Sequence, residues 1–190
     1  MKYLVLLAGC GLGDGSCIEE VILTYVALDK YGCDYTPVAE DVSIQSVNHL
    51  TEQIAEKRNI LIEAARIGRG RINDIHEVDF AEYDALIIPG GIGLLNNYRN
   101  SERVKACMTH FVSSRKPIAA MCAGIDFLRR FLGNDLLADE TKDLTAERYC
   151  FDAGKNIYYT PAFRKTAGCH TAQMGINAMI DALCQAQTVR

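Results

Sequence analysis

The stretch from Lys116 to Gly124, Lys-Pro-Ile-Ala-Ala-Met-Cys-Ala-Gly, constrains the fold more than any other part of the chain. A short apolar run stops at a cysteine flanked by small residues, and a helical pattern takes over at once. This predicts a strand, a tight turn and a helix. A side chain perched on such a turn needs small neighbours, because the backbone is strained and a substrate must approach closely. Two further apolar runs end in glycine-rich turns. Tyr3 to Leu7 leads into Gly9-Cys10-Gly11-Leu12-Gly13-Asp14-Gly15-Ser16, and Asp84 to Pro89 leads into Gly90-Gly91-Ile92-Gly93. Continuous apolar strands alternating with helical patterns predict a doubly wound α/β domain: a mostly parallel sheet, helices on both faces, and loops gathered at the strand ends.

The remaining elements follow from periodicity. After the first loop, Ser16 is the expected N-cap of a helix with Ile18, Val21, Ile22, Tyr25 and Val26 on its buried stripe, ending near Gly32. A weaker strand covers Tyr35 to Ala39, and Val42 to Leu50 is polar without a clear period. From Thr51 a long helix is expected, burying Ile54, Leu61, Ile62 and Ala65, with Gly68 and Gly70 beyond its end. Its charges read as a solvated face. Ser101 should cap a helix through Val104, Cys107, Met108, Phe111 and Val112. A short helix reaches Leu132, Tyr149 to Asp152 and Asn156 to Thr160 form a hairpin, and a last helix from about Ala167 buries Ala172, Ile176, Met179, Ile180 and Leu183.

With 190 residues, 49% of them apolar, the chain suits one domain spanning 1–190. A net charge of −4 argues against nucleic acid as a partner. The run Tyr3 to Ala8 is too short for a signal peptide, and no run is long enough to span a bilayer. A soluble, cytoplasmic protein without a membrane partner is therefore expected. The eight cysteines include no Cys-x-x-Cys pair and no zinc-type spacing with histidine, so no metal is expected and most should be reduced core thiols. Nor is a nucleotide cofactor expected. The dinucleotide fingerprint wants a third glycine where Asp14 stands, and that carboxylate would repel a pyrophosphate.

Cys122 is the candidate nucleophile, placed where the unpaired N–H groups of the following helix would favour a thiolate. The N–H groups of Gly91 and Ala123 are the candidate oxyanion donors. Asp14, His49 and Gly90 are possible pocket residues. Of the other histidines, His110 is expected on the solvent side of its helix, His76 on a connection and His170 in the last helix.

These residues carry a resemblance. Ala-Ala-Met-Cys-Ala-Gly at the elbow, Pro89-Gly90-Gly91, and Asp14-Gly15-Ser16 with Glu20 resemble the PfpI-like branch of the class I glutamine-amidotransferase-like superfamily. Asn48-His49-Leu50-Thr51, the stretch Arg58 to Ile67 and Thr160-Pro161-Ala162-Phe163 are similar to the ElbB-like, isoprenoid biosynthesis glyoxalase proteins. The resemblance spans most of the chain and implies a flavodoxin-like fold, with Cys122 as nucleophile and Glu20 as its acidic partner. Glu20 lies in the first turns of the helix after the first strand, facing the same crevice. Glu19, about 100° away on the helix, points elsewhere. Two departures stand out: Leu132 to Tyr149 is short for the family, and Ala123 occupies the place where hydrolytic relatives carry a histidine.

The resemblance implies a cofactor-free glyoxalase that converts a small 2-oxoaldehyde, methylglyoxal or glyoxal, to a 2-hydroxy acid. An oxidant-sensing protein using the same cysteine is the alternative, and amidase or peptidase action is disfavoured by the missing histidine. The expected partners are a small aldehyde substrate and a second copy of the chain in a homodimer.

Overall fold

In the computed structural model, which describes residues 1–188, the chain alternates strand and helix. Strand β1 (Lys2–Leu6) leads to α1 (Ile18–Lys30) and β2 (Asp34–Ala39). An excursion of two strands, β3 (Ser43–Val47) and β4 (Ile54–Asn59), precedes α2 (Ile60–Ala65) and the short β5 (Asn73–Asp74). Then come β6 (Ala85–Ile88), α3 (Gly93–Asn97), α4 (Glu102–Ser113), β7 (Ile118–Met121) and α5 (Gly124–Leu132). The chain closes with β8 (Cys150–Asp152), β9 (Ile157–Thr160) and α6 (Cys169–Thr188).

The described residues form a seven-stranded sheet in the order β5-β2-β1-β6-β7-β9-β8. Its pairs are parallel except for the β8/β9 hairpin. Strand order reverses between β1 and β6, so the glycine-rich turns that follow these two strands flank the switch point where such sheets bind ligands. All of β6 and β7 is buried, as is β1 from Tyr3 onward. Each fully buried Leu, Ile or Val contributes about 1.5–3 kcal/mol.

Several elements match their sequence patterns closely. Ser101 Oγ accepts from Val104 N and caps α4, whose inner stripe is Val104, Cys107, Met108 and Phe111. In α6, Ala172, Ile176, Met179, Ile180 and Leu183 are fully buried. The hairpin is present as expected, with Asp152 Oδ1 accepting from Lys155 N in its turn.

Four expectations need correction. Helix α1 is rotated from its apparent stripe: it buries Glu20, Val21, Thr24, Tyr25, Ala27 and Leu28, while Ile18, Ile22 and Val26 are exposed. The rotation turns Glu20 inward. Ser16 is not the N-cap; Cys17 is, and Ser16 Oγ instead accepts from Ala8 N within the buried glycine loop. No helix starts at Thr51. Asn48-His49-Leu50-Thr51 makes the turn of the β3/β4 hairpin, with Leu50 N donating to Asn48 Oδ1 and Glu52 N to Asn48 O. The supposed core residue Ile54 is exposed, and α2 begins only where the Asn59 side chain accepts from Ile62 N. His110, finally, is half-buried against Phe80 and Phe111.

Candidate functional site

Cys122 connects β7 to α5 with φ +49°, a left-handed conformation that costs a non-glycine residue about 1–2 kcal/mol. Strand β9 holds it there. Cys122 N donates to Thr160 O at 3.1 Å, and the Tyr159 hydroxyl donates to Cys122 O at 3.3 Å. Strain of this kind persists only where neighbours over-determine the backbone, and it concentrates at functional sites.

Glu20 reaches this elbow from the first turn of α1. Its side chain is fully buried, and Gly90 N donates to Oε2 at 2.7 Å. Gly90 is wedged between the two side chains. A Cβ built there would lie 2.5 Å from Glu20 Oε2 and 2.7 Å from Cys122 Cβ, so only glycine fits. Glu20 Oε1 is buried and makes no hydrogen bond of full geometry among the described residues, although the Phe163 N–H and the Cys122 thiol stand near the carboxyl. Burial pushes the carboxyl up to about 7, against the pull of the Gly90 and Phe163 N–H groups and the Cys122 thiol. Glu19 is exposed, as its helical phase requires.

The resting thiol differs from the sequence expectation. Burial first, and then the Glu20 charge, push Cys122 up to about 12, although the Ala123 N–H and the Arg164 guanidinium act in the opposite direction. A helix N-terminus does not by itself acidify a cysteine that is desolvated beside a carboxyl. The two groups form one unit around Gly90. Near neutral pH that unit is a protonated thiol next to a carboxyl poised to exchange a proton.

The turn after β6 is locked to the turn after β1. Cys17 N donates to Gly90 O at 2.9 Å, Ile92 N to Leu12 O at 2.8 Å and Gly93 N to Gly15 O at 3.1 Å. Gly91 has φ +119°, and a Cβ there would meet Gly15 O at 2.2 Å. The Ala123 N–H faces the Cys122 sulfur, and among the described residues the Gly91 N–H donates to no carbonyl in the loop contacts that join the two turns.

Asp14 and His49 lie together, but elsewhere. With Cys10, Arg58, Glu63 and the β3/β4 hairpin they line a separate cavity of about 280 Å³, whose walls include neither Cys122 nor Glu20. Asp14 Oδ2 accepts from Val47 N at 2.8 Å. Gly13 N donates to His49 Nε2 at 3.1 Å and His49 Nδ1 lies 3.2 Å from Val47 O, which suits the neutral tautomer protonated at Nδ1. These two residues thus fasten the hairpin to the first glycine loop; Gly90 alone of the possible pocket residues joins Cys122 and Glu20.

Sequence reasoning missed Arg164 and Asp126, an ion pair beside the elbow. Asp126 sits in the first turn of α5, and Arg164 follows β9. Their one signal was position, each just past the carboxyl end of a strand. Among the described residues no group of three or more His, Cys, Asp or Glu side chains is arranged to hold a metal ion. No described helix is long and apolar enough to cross a membrane.

Comparison with known proteins places this geometry. Residues 11–134 match the DJ-1/PfpI family. A human protein, glutamine amidotransferase-like class 1 domain-containing protein 3, mitochondrial, is 33% identical over 94% of the chain and 81% of its own length. The rat ES1 protein homolog, mitochondrial, is 32% identical over 64% of the chain, and the match spans only 50% of that relative. A crystal structure of an isoprenoid biosynthesis protein with amidotransferase-like domain from Ehrlichia chaffeensis superposes with a TM-score of 0.90. It shares 28% identity, over 98% of this chain and 99% of that one. Drosophila melanogaster DJ-1beta, at 15% identity and a TM-score of 0.53, shares the fold. The chain belongs to the DJ-1/PfpI family, in its ElbB-like, amidotransferase-like branch.

Proposed function

We propose that this chain is a cofactor-independent glyoxalase-type enzyme acting on a small 2-oxoaldehyde such as methylglyoxal. The observation that carries the reading is the closely placed pair itself, a thiol on a strained elbow beside a buried carboxyl raised to about 7. Cys122 Sγ adds to the aldehyde carbon while its proton passes to the Glu20 carboxylate, so the high resting affinity of the thiol for its proton is overcome only as the new bond forms. Glu20 hands that proton to the new alkoxide, giving a hemithioacetal. As a carboxylate again, it takes the proton from the former aldehyde carbon and returns it to the neighbouring carbonyl carbon, while the hydroxyl proton moves between the two oxygens. The product is a thioester of the 2-hydroxy acid, which water hydrolyses to restore the thiol. The N–H groups of Gly91 and of Ala123, the latter turned toward the Cys122 sulfur, are suited to the oxyanion.

The test is formation of lactate from methylglyoxal without glutathione. Wild type should turn over, Cys122→Ala should fall to background, and Glu20→Gln should lose on the order of 10²–10⁴ in rate. No lactate from wild type, or equal lactate from Cys122→Ala, overturns the proposal.

A further inference from the structure

At the opposite end of the strands from Cys122 lies a second pair of sulfurs. Cys33 occupies the turn between α1 and β2, and Cys184 lies on the inner face of α6; their Sγ atoms are 3.5 Å apart across a sequence separation of 151. Tyr3, at the start of β1 and fully buried, donates its hydroxyl to Cys184 Sγ at 3.4 Å. The pair is asymmetric. Cys184 is buried, whereas Cys33 is partly exposed and lines a cavity of about 260 Å³ with Tyr25, Asp29, Tyr35 and Arg71.

We infer that Cys33 and Cys184 form a reversible dithiol oxidised by hydroperoxides to a disulfide that ties the start of β2 to the C-terminal helix. The two sulfurs are in van der Waals contact, so a disulfide needs a closure of about 1.5 Å to the usual bond length near 2.05 Å. Cys33, reached through the cavity, takes the first step. Its sulfur attacks the peroxide oxygen, the O–O bond breaks, and Cys33 becomes a sulfenic acid with release of water or an alcohol. Cys184 Sγ then attacks the Cys33 sulfur, and the S–O bond breaks. The departing hydroxyl leaves as water with the Cys184 proton. In sum, two thiols lose two hydrogens and one peroxide is reduced. The chemistry is independent of Cys122, which sits at the carboxyl ends of the strands, whereas Cys33 and Tyr3 mark their amino ends.

The full-length chain is treated with hydrogen peroxide, its remaining thiols are alkylated after denaturation, and peptides are mapped without reductant. The expected result is a peptide carrying Cys33 linked to one carrying Cys184, lighter by two hydrogens than their sum and separated by dithiothreitol. In Cys33→Ser the linked peptide is absent and loss of the Cys184 thiol slows at least about tenfold, because burial shields it from oxidant. Cys33 carried to a sulfinic acid while Cys184 remains a thiol overturns the proposal. So does a disulfide from Cys33 to any other cysteine, or both thiols surviving a dose that oxidises Cys122.

Discussion

Glu20 carries opposite consequences for stability and for chemistry. Folded, it keeps its proton up to about pH 7, whereas an unfolded glutamate releases it near 4.5. Between those values the folded state binds more protons, so stability falls as pH rises through the window, by on the order of 3 kcal/mol in all. Glu20→Gln should therefore raise the denaturation midpoint at pH 8 and leave it nearly unchanged at pH 4, and unequal effects in the reverse order would refute the assignment. The proposed activity runs the other way: it should climb as pH rises through about 7, because only the carboxylate can accept the thiol proton. Alkylation distinguishes reactivity toward a bound carbonyl from simple accessibility. Iodoacetamide at pH 7 should label the exposed Cys169 before Cys122, whose thiol is held protonated, and peptide mapping reads the order directly. The place of Glu20 at the crevice was legible from the family resemblance and from its position in the first turns of the helix that follows β1. The state of the thiol was not, since its desolvation depends on contacts that the order of residues does not display.

The elements around the elbow tolerate little change. Gly90→Ala inserts a methyl group between Glu20 and Cys122 and should cost about 3 kcal/mol together with the proposed turnover, read from urea midpoints and the lactate assay. Gly32→Ala, with no atom within 4 Å of the new methyl group, should cost about 1 kcal/mol through its φ of +62° and leave turnover intact. The hairpin β3/β4 depends on Asp14 in a different way. Removing that carboxylate in Asp14→Ala frees the Val47 N–H, whose hydrogen exchange should speed by about tenfold for each 1.4 kcal/mol lost. Unchanged protection at Val47 would show that the hairpin is fastened elsewhere. This hairpin is also where the pattern misled. Ile54, Leu61 and Ile62 have helical spacing, but the turn at Asn48 to Glu52 and the cap at Asn59 overrule it, and two of the three side chains end up exposed. The α1 stripe failed for a related reason: tertiary packing selected the face bearing Glu20 and Thr24, and Thr24 Oγ1 donates to the Glu20 carbonyl at 2.7 Å.

Across the whole molecule, the doubly wound, mostly parallel architecture was readable because a continuous apolar strand that feeds a helix has few places to go. The family match covers residues 11–134, yet the groups that complete the Cys122 environment, Tyr159, Thr160, Phe163 and Arg164, lie beyond it. A fragment ending at residue 134 would leave β7 without its neighbour β9 and α1 without α6. It should show no cooperative thermal transition by circular dichroism; a sharp transition would mean that the later strands are dispensable. The arrangement has a bearing on synthesis. A ribosome delivers Glu20 first and Cys122 much later, but the elbow gains the contacts that fix it only after Tyr159 and Thr160 have followed. Until then the growing polypeptide carries its cysteine without the contacts that hold the left-handed elbow, so a nascent chain and the finished protein present the same thiol to cellular electrophiles in different backbone conformations.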